Sequence, residues 1–139
     1  MVRKIAAAAL GIITAGLIVW IVEALGHAVY PVPPDLDMSA PEQFRDYIAA
    51  LPPGAFLFVL AAWLLGTLGG GMLACFIAGE KPFVYATIVG AFILIATVVN
   101  LVMLPHPLWF SATAVLAIAV MTYLTGLAAS SQARFGGGN

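Results

Sequence analysis

Four polar side chains in this sequence could carry chemistry, and they all fall near one end of long apolar segments. Glu23 is the only acidic residue inside such a segment, and His27 follows it by one helical turn on the same face. Asn100 lies near the end of another apolar segment, and His106 lies in the turn after it. Ionisable residues within a membrane are functional candidates. The candidate polar or ion site therefore consists of Glu23, His27, Asn100 and His106.

Three interpretations of these residues stay open from the sequence. Glu23 could be a structural carboxylate that is hydrogen-bonded to His27 or Asn100. It could instead carry an ion or a proton across the bilayer. A Glu-x-x-x-His pair with His106 could also supply three metal ligands, although we predict no metal and no cofactor. His106, flanked by prolines, is predicted to be a solvated turn residue.

No motif in the sequence names a reaction. There is no HExxH or GxSxG pattern, and the single cysteine, Cys75, excludes a CxxC site. The net charge of -1 and the lack of a basic cluster argue against nucleic acid as a partner. We therefore expect a protein that is not an enzyme.

The composition indicates a membrane protein. Hydrophobic residues make up 63% of the 139 residues and charged residues only 8%, whereas soluble domains carry about 25% charged residues. Residues 5–29, 54–78, 83–104 and 108–129 are nearly all apolar. Each is long enough to cross about 30 Å of hydrocarbon as a helix, which takes roughly 20 residues. The prediction is an all-α bundle of four transmembrane helices in a single membrane domain, residues 1–139.

The segment 30–53 between the first two spans is predicted to carry a short amphipathic helix. Ser39 and Glu42 have the spacing of a capping box, which favours a helix over residues 40–51. Such a helix is expected to lie flat on the membrane or across the outer mouth of the bundle, as a plain connector or as a lid. Its apolar stripe consists of Phe44, Tyr47, Ile48 and Leu51.

The basic residues predict the orientation. Arg3, Lys4, Lys81 and Arg134 fall on one side of the bundle, and Arg45 is the only basic residue on the other. Because basic residues favour the cytoplasmic side, we expect both termini in the cytoplasm and a bacterial inner membrane as the location. The first apolar run is longer than the core of a usual signal peptide, so we expect it to be retained.

The second span carries a row of small residues at four-residue spacing, which predicts close packing against another helix. Whether that helix belongs to the same chain or to a second copy stays open. The row consists of Ala62, Gly66, Gly70, Ala74 and Ala78.

Two functions fit these observations. The first is association in the bilayer, as a homo-oligomer or as a subunit of a membrane complex, because the small-residue row is long and polar groups are scarce. The alternative is a small ion- or proton-coupled transporter or channel that uses Glu23 and His27. The direction of Glu23 separates them, since a transporter needs it in a cavity and a structural role needs it in a closed hydrogen-bonded pair.

Overall fold

A computed structural model describes residues 1–37 and 39–136 of the chain, with side chains as far as residue 132. It confirms the all-α prediction, since four helices are long and apolar enough to cross a bilayer and a short helix separates the first two. The helices are α1 (Val2–Val29), α2 (Pro41–Ala50), α3 (Pro53–Ala78), α4 (Pro82–Met103) and α5 (Leu108–Gly136). The first and last spans extend beyond their predicted bounds, because helical backbone continues into the polar flanks.

Prolines set the starts of three helices. Pro41, Pro53 and Pro82 each occupy the first turn of a helix, where the missing amide hydrogen costs nothing and the fixed φ suits the helix. Gly79 ends α3 in the left-handed conformation, with φ of 67°, which glycine adopts without steric cost. Consequently α3 turns back into α4 within a few residues.

The predicted capping box of α2 is wrong. Ala40, not Ser39, is the residue before the helix, and no side chain caps its amides. The Ser39 hydroxyl instead donates to Asp37 Oδ1 at 2.6 Å, and the Ser39 amide donates to the same oxygen at 2.9 Å. The reason is Pro41, which disfavours helical backbone at the residue before it. Ala40 is therefore extended, and Ser39 is too far from the helix to cap it.

Helices α3 and α4 form the centre of the bundle. Within the described part of the chain, α1 and α5 each pack against both of them, and α1 does not contact α5. Successive spans run antiparallel, so α1 and α4 point in the same direction. The outward faces are apolar, as Phe76 and Val102 illustrate with exposed fractions of 83% and 81%. Such a surface suits lipid rather than water as the surrounding solvent.

The small-residue row of α3 packs against α1 of the same chain. A Cβ at Gly66 would lie 2.9 Å from the carbonyl oxygen of Ala15, and one at Gly70 would collide with the carbonyl oxygen of Gly11. Ala62 and Ala74 of the row are completely buried and Ala78 is 5% exposed. Because no side chain separates the two backbones here, α1 and α3 approach each other as closely as helices can.

Charged residues tie α1 to α3 at the end of the bundle where α1 begins. Arg3 donates from Nε to the carbonyl oxygen of Ile77 and from Nη2 to that of Ala78, both at 2.7 Å. These carbonyls lie in the last turn of α3 and have no partner within the helix. Lys4 Nζ lies 2.6 Å from Glu80 Oε1, and this bond lowers the pKa of the Glu80 carboxyl.

The structure thus gathers Arg3, Lys4 and Glu80 at one end, as the sequence predicted. The Arg134 side chain lies outside the described residues. The cytoplasmic assignment of this end stays a prediction.

Candidate functional site

A cavity of about 210 Å³ lies at the opposite end of the bundle, between α1, α2, α3 and the end of α4. All four polar candidates from the sequence line it: Glu23, His27, Asn100 and His106. The four residues of the α2 stripe line it as well: Phe44, Tyr47, Ile48 and Leu51. The two sets of residues that the sequence singled out at this end therefore meet at one site.

The packing of α1 on α4 sets the depth of Glu23. The Cβ position of Gly11 lies 3.0 Å from Val89 Cγ2. The two helices are parallel and rise equally per residue. Twelve residues beyond this contact, Glu23 of α1 therefore lies level with Leu101 of α4, the neighbour of Asn100. Both Glu23 and Asn100 line the cavity wall. Residues 77 positions apart in the sequence are thus brought to the same level of the bundle.

Glu23 is half-buried in the cavity wall, and His27, one turn further along α1, lines the same cavity but is exposed. The Trp63 side chain of α3 lies near the Glu23 carboxyl. The indole N–H of Trp63 can only donate a hydrogen bond, so it suits a carboxylate. Trp63 is 5% exposed. Trp63 is not among the site residues that the sequence predicted. Its position inside α3 rather than near an end of the helix is the signal that separates it from an ordinary anchoring tryptophan.

Asn100 brings an unsatisfied acceptor to the cavity. Its Oδ1 is buried and has no hydrogen-bond partner among the described residues. Thr97, one turn earlier on α4, is 1% exposed and its Oγ1 also has no partner in the described chain. Buried polar atoms are nearly always hydrogen-bonded, to protein or to water. Two such atoms on one face of α4 mark this part of the bundle as a place that can receive a hydrogen-bond donor.

His106 lies in the turn between α4 and α5, as the sequence predicted, but it is half-buried rather than fully solvated. Its ring stacks on Phe110 with centroids 5.2 Å apart and meets the edge of Phe56 at 6.0 Å. Its Nδ1 lies 3.0 Å from the carbonyl oxygen of Leu104. Since a carbonyl only accepts, Nδ1 carries the hydrogen, and Nε2 is an acceptor in the neutral ring. Burial lowers the pKa of His106. Two aromatic neighbours explain the difference: Phe110, four residues further along the chain, and Phe56, which is remote in sequence.

Helix α2 closes the cavity with its apolar face. Ile48 is its most buried residue, at 8% exposed, and the rings of Phe44 and Tyr47 lie 6.4 Å apart. No Cα atom of α2 comes within 8 Å of a Cα in another helix, so side chains alone hold α2 on the bundle. Of the two predicted placements, the structure shows the helix across the mouth of the bundle.

A metal centre has no geometric support here. No three His, Cys, Asp or Glu side chains come together as a metal-binding group within residues 1–37 and 39–132. Glu23, His27 and His106 line the same cavity but do not form such a group.

No protein family, characterised protein or solved structure matches this chain. The fold and the composition of its helices define a small polytopic membrane protein. The cavity at one end of the bundle is its candidate functional site.

Proposed function

We propose that this protein is a small transporter that exchanges a cation for a proton at the Glu23 carboxylate. The observation that carries the proposal is the position of Glu23. Of the described residues that line the cavity, Glu23 is the only one with a full formal charge, and no Lys or Arg lines it. A carboxylate in a cavity that no Lys or Arg lines can bind a proton or a cation in turn.

One of the two observations that motivated association as the main function, the small-residue row, no longer supports it. The small-residue row that suggested it is packed against α1 of the same chain, so it offers no free face to a second copy. Assembly into a homo-oligomer or into a complex with other membrane subunits stays a prediction. The native mass of the protein in detergent tests whether it is an oligomer.

The two ends of the bundle provide a matched pair of acidic residues for testing transport. Glu23 lines the cavity, whereas Glu80 is exposed at the opposite end and paired with Lys4. Glu23→Gln keeps the shape of the side chain and removes its charge. Glu80→Gln makes the same chemical change far from the cavity.

The experiment uses proteoliposomes that enclose a pH-sensitive dye. Sodium, potassium, tetramethylammonium and benzylammonium are each applied as an outside gradient. We expect at least one of them to change the internal pH with wild type and with Glu80→Gln, and not with Glu23→Gln. The proposal is overturned if none of the cations moves protons with wild type. It is equally overturned if Glu23→Gln moves them as fast as wild type does.

A further inference from the structure

The charges around the cavity select for a cation. Glu23 supplies the only full charge of its described lining. The exposed segment above it carries four acidic residues and a single basic one, Arg45. Acidic residues around a low-dielectric opening raise the local concentration of cations. Both the wall and the surroundings of the cavity therefore disfavour an anion.

Aromatic rings distinguish an organic cation from a metal ion. Five aromatic side chains line the cavity besides the two histidines: Tyr30, Phe44, Tyr47, Phe56 and Phe58. The faces of such rings attract ammonium groups. A hard metal cation instead requires several oxygen ligands around it, carboxylates among them, and the described lining holds a single carboxylate, Glu23.

The polar groups of the cavity include several acceptors that a hydrogen-bond donor can satisfy. The Glu23 carboxylate and the buried, unpartnered Oδ1 of Asn100 are acceptors, and the hydroxyl groups of Tyr30 and Tyr47 in the same lining can accept as well as donate. A primary ammonium group has three N–H donors and no acceptor, which complements such a set. A quaternary ammonium has no N–H and would leave the acceptors unsatisfied.

The volume limits the size of the ligand. A cavity of roughly 150 Å³ in a protein core holds benzene, and this one measures about 210 Å³. We propose that the cavity binds a small primary ammonium compound whose apolar body is about the size of one benzene ring. This inference rests on the proposed function, since it names the substrate class for the same site.

The test measures binding to the purified full-length protein by titration calorimetry with benzylammonium chloride. Benzyl alcohol is the neutral probe of similar shape, and sodium and tetramethylammonium are the other cations. We expect benzylammonium to bind at least about tenfold more tightly than benzyl alcohol, because a charged hydrogen bond is lost in the alcohol. It should also bind more tightly than sodium or tetramethylammonium.

Three variants locate the site. Glu23→Gln should weaken benzylammonium binding at least about tenfold, and Glu80→Gln should leave it unchanged. Tyr47→Leu, on α2, should weaken benzylammonium more than benzyl alcohol, because only the cation gains from the ring face. Tyr47→Leu keeps the proposal testable if Glu23→Gln fails to fold.

Several outcomes overturn the inference. Benzyl alcohol that binds as tightly as benzylammonium would show that charge plays no part. Sodium or tetramethylammonium as the preferred cation would exclude the primary ammonium class. Equal binding in wild type, Glu23→Gln and Tyr47→Leu would place the ligand elsewhere.

The substrate class and the transport activity can fail separately. Proton movement driven by sodium, with no binding of benzylammonium, would overturn the substrate class and leave transport standing. Binding of benzylammonium that depends on Glu23, with no proton movement for any cation, would overturn transport and leave the ligand class standing.

Discussion

The Cβ position of Gly70 lies against the main-chain carbonyl oxygen of Gly11, so that α1 and α3 touch backbone to backbone. Gly70→Ile should therefore destabilise the protein strongly, since overpacking costs about 1–3 kcal/mol even where neighbours can yield, and backbone yields less than side chains. The melting temperature in detergent measures the effect. Gly16→Ile is the control, because nothing lies within 4 Å of the Cβ position of Gly16. Equal melting temperatures for the two variants would refute the contact.

The hydroxyl groups of Thr67 and Thr97 are both buried but differ in their bonding. Thr67 Oγ1 donates to the carbonyl oxygen of Trp63 at 2.8 Å, whereas Thr97 Oγ1 has no partner in the described chain. Thr67→Val should cost about 0.5–1.5 kcal/mol, the usual value of one hydrogen bond. Thr97→Val should be neutral or stabilising. A larger cost at Thr97, measured by chemical unfolding, would show that a buried water satisfies this hydroxyl.

His106 should make the protein less stable as the pH falls below about 6.5. Burial lowers its pKa below the usual 6.5, so the unfolded chain takes up this proton at a higher pH than the folded one. The contribution is therefore fully present above pH 6.5 and is lost as the pH falls through the lower folded value. His106→Phe keeps the stacking on Phe110 and should lose less stability than wild type between pH 7.0 and 5.5. Parallel losses in the two proteins would contradict this account.

The contacts of Arg3 predict a structural role for it. Arg3→Gln should lower stability by about 1 kcal/mol, because the free carbonyls of Ile77 and Ala78 lose their donors. Lys4→Gln is the comparison, since the Lys4–Glu80 pair is exposed and such pairs contribute little. A high salt concentration should reduce the Lys4 effect further and affect the Arg3 effect less. A larger loss of stability in Lys4→Gln than in Arg3→Gln would show that charge, rather than capping of the α3 carbonyls, stabilises this end.

The orientation can be measured with single cysteines. Ser39 and Ser131 are both exposed and lie at opposite ends of the bundle. In a Cys75→Ala background, only a cysteine at position 39 should react with an impermeant thiol reagent in intact cells, because the basic residues favour a cytoplasmic location for the other end. Preferential labelling at position 131 would reverse the topology.

The fold could be predicted because each span carries its own signal. Apolar length and flanking prolines are local properties, so the four spans and the helix before Pro52 follow from the sequence with errors of a few residues. The capping-box prediction was wrong for an equally local reason. Pro41 keeps the residue before it extended, so α2 begins at Pro41 and Ser39 is too far away to cap it.

The candidate site could be predicted only in part. Glu23, His27 and Asn100 stand out because polar residues are rare in spans, and topology alone places them at one end. The place of Trp63 near Glu23 and the contact of His106 with Phe56 depend on how helices rotate against one another. That rotation is set by contacts such as Gly11 on Gly70, which a single sequence does not pair.

The hydrogen bonds of Arg3 to the end of α3 have a consequence for the order in which the helices assemble during synthesis. Three contacts join α1 to α3: Arg3 with Ala78, Gly11 with Gly70, and Ala15 with Gly66. Both helices are synthesised before α4 begins. Since chains emerge from the ribosome N-terminus first and inserted helices associate afterwards, this hairpin can close while the second half of the protein is still being translated. The later helices then dock onto a finished template, and the cavity is completed last, when Asn100 and His106 arrive.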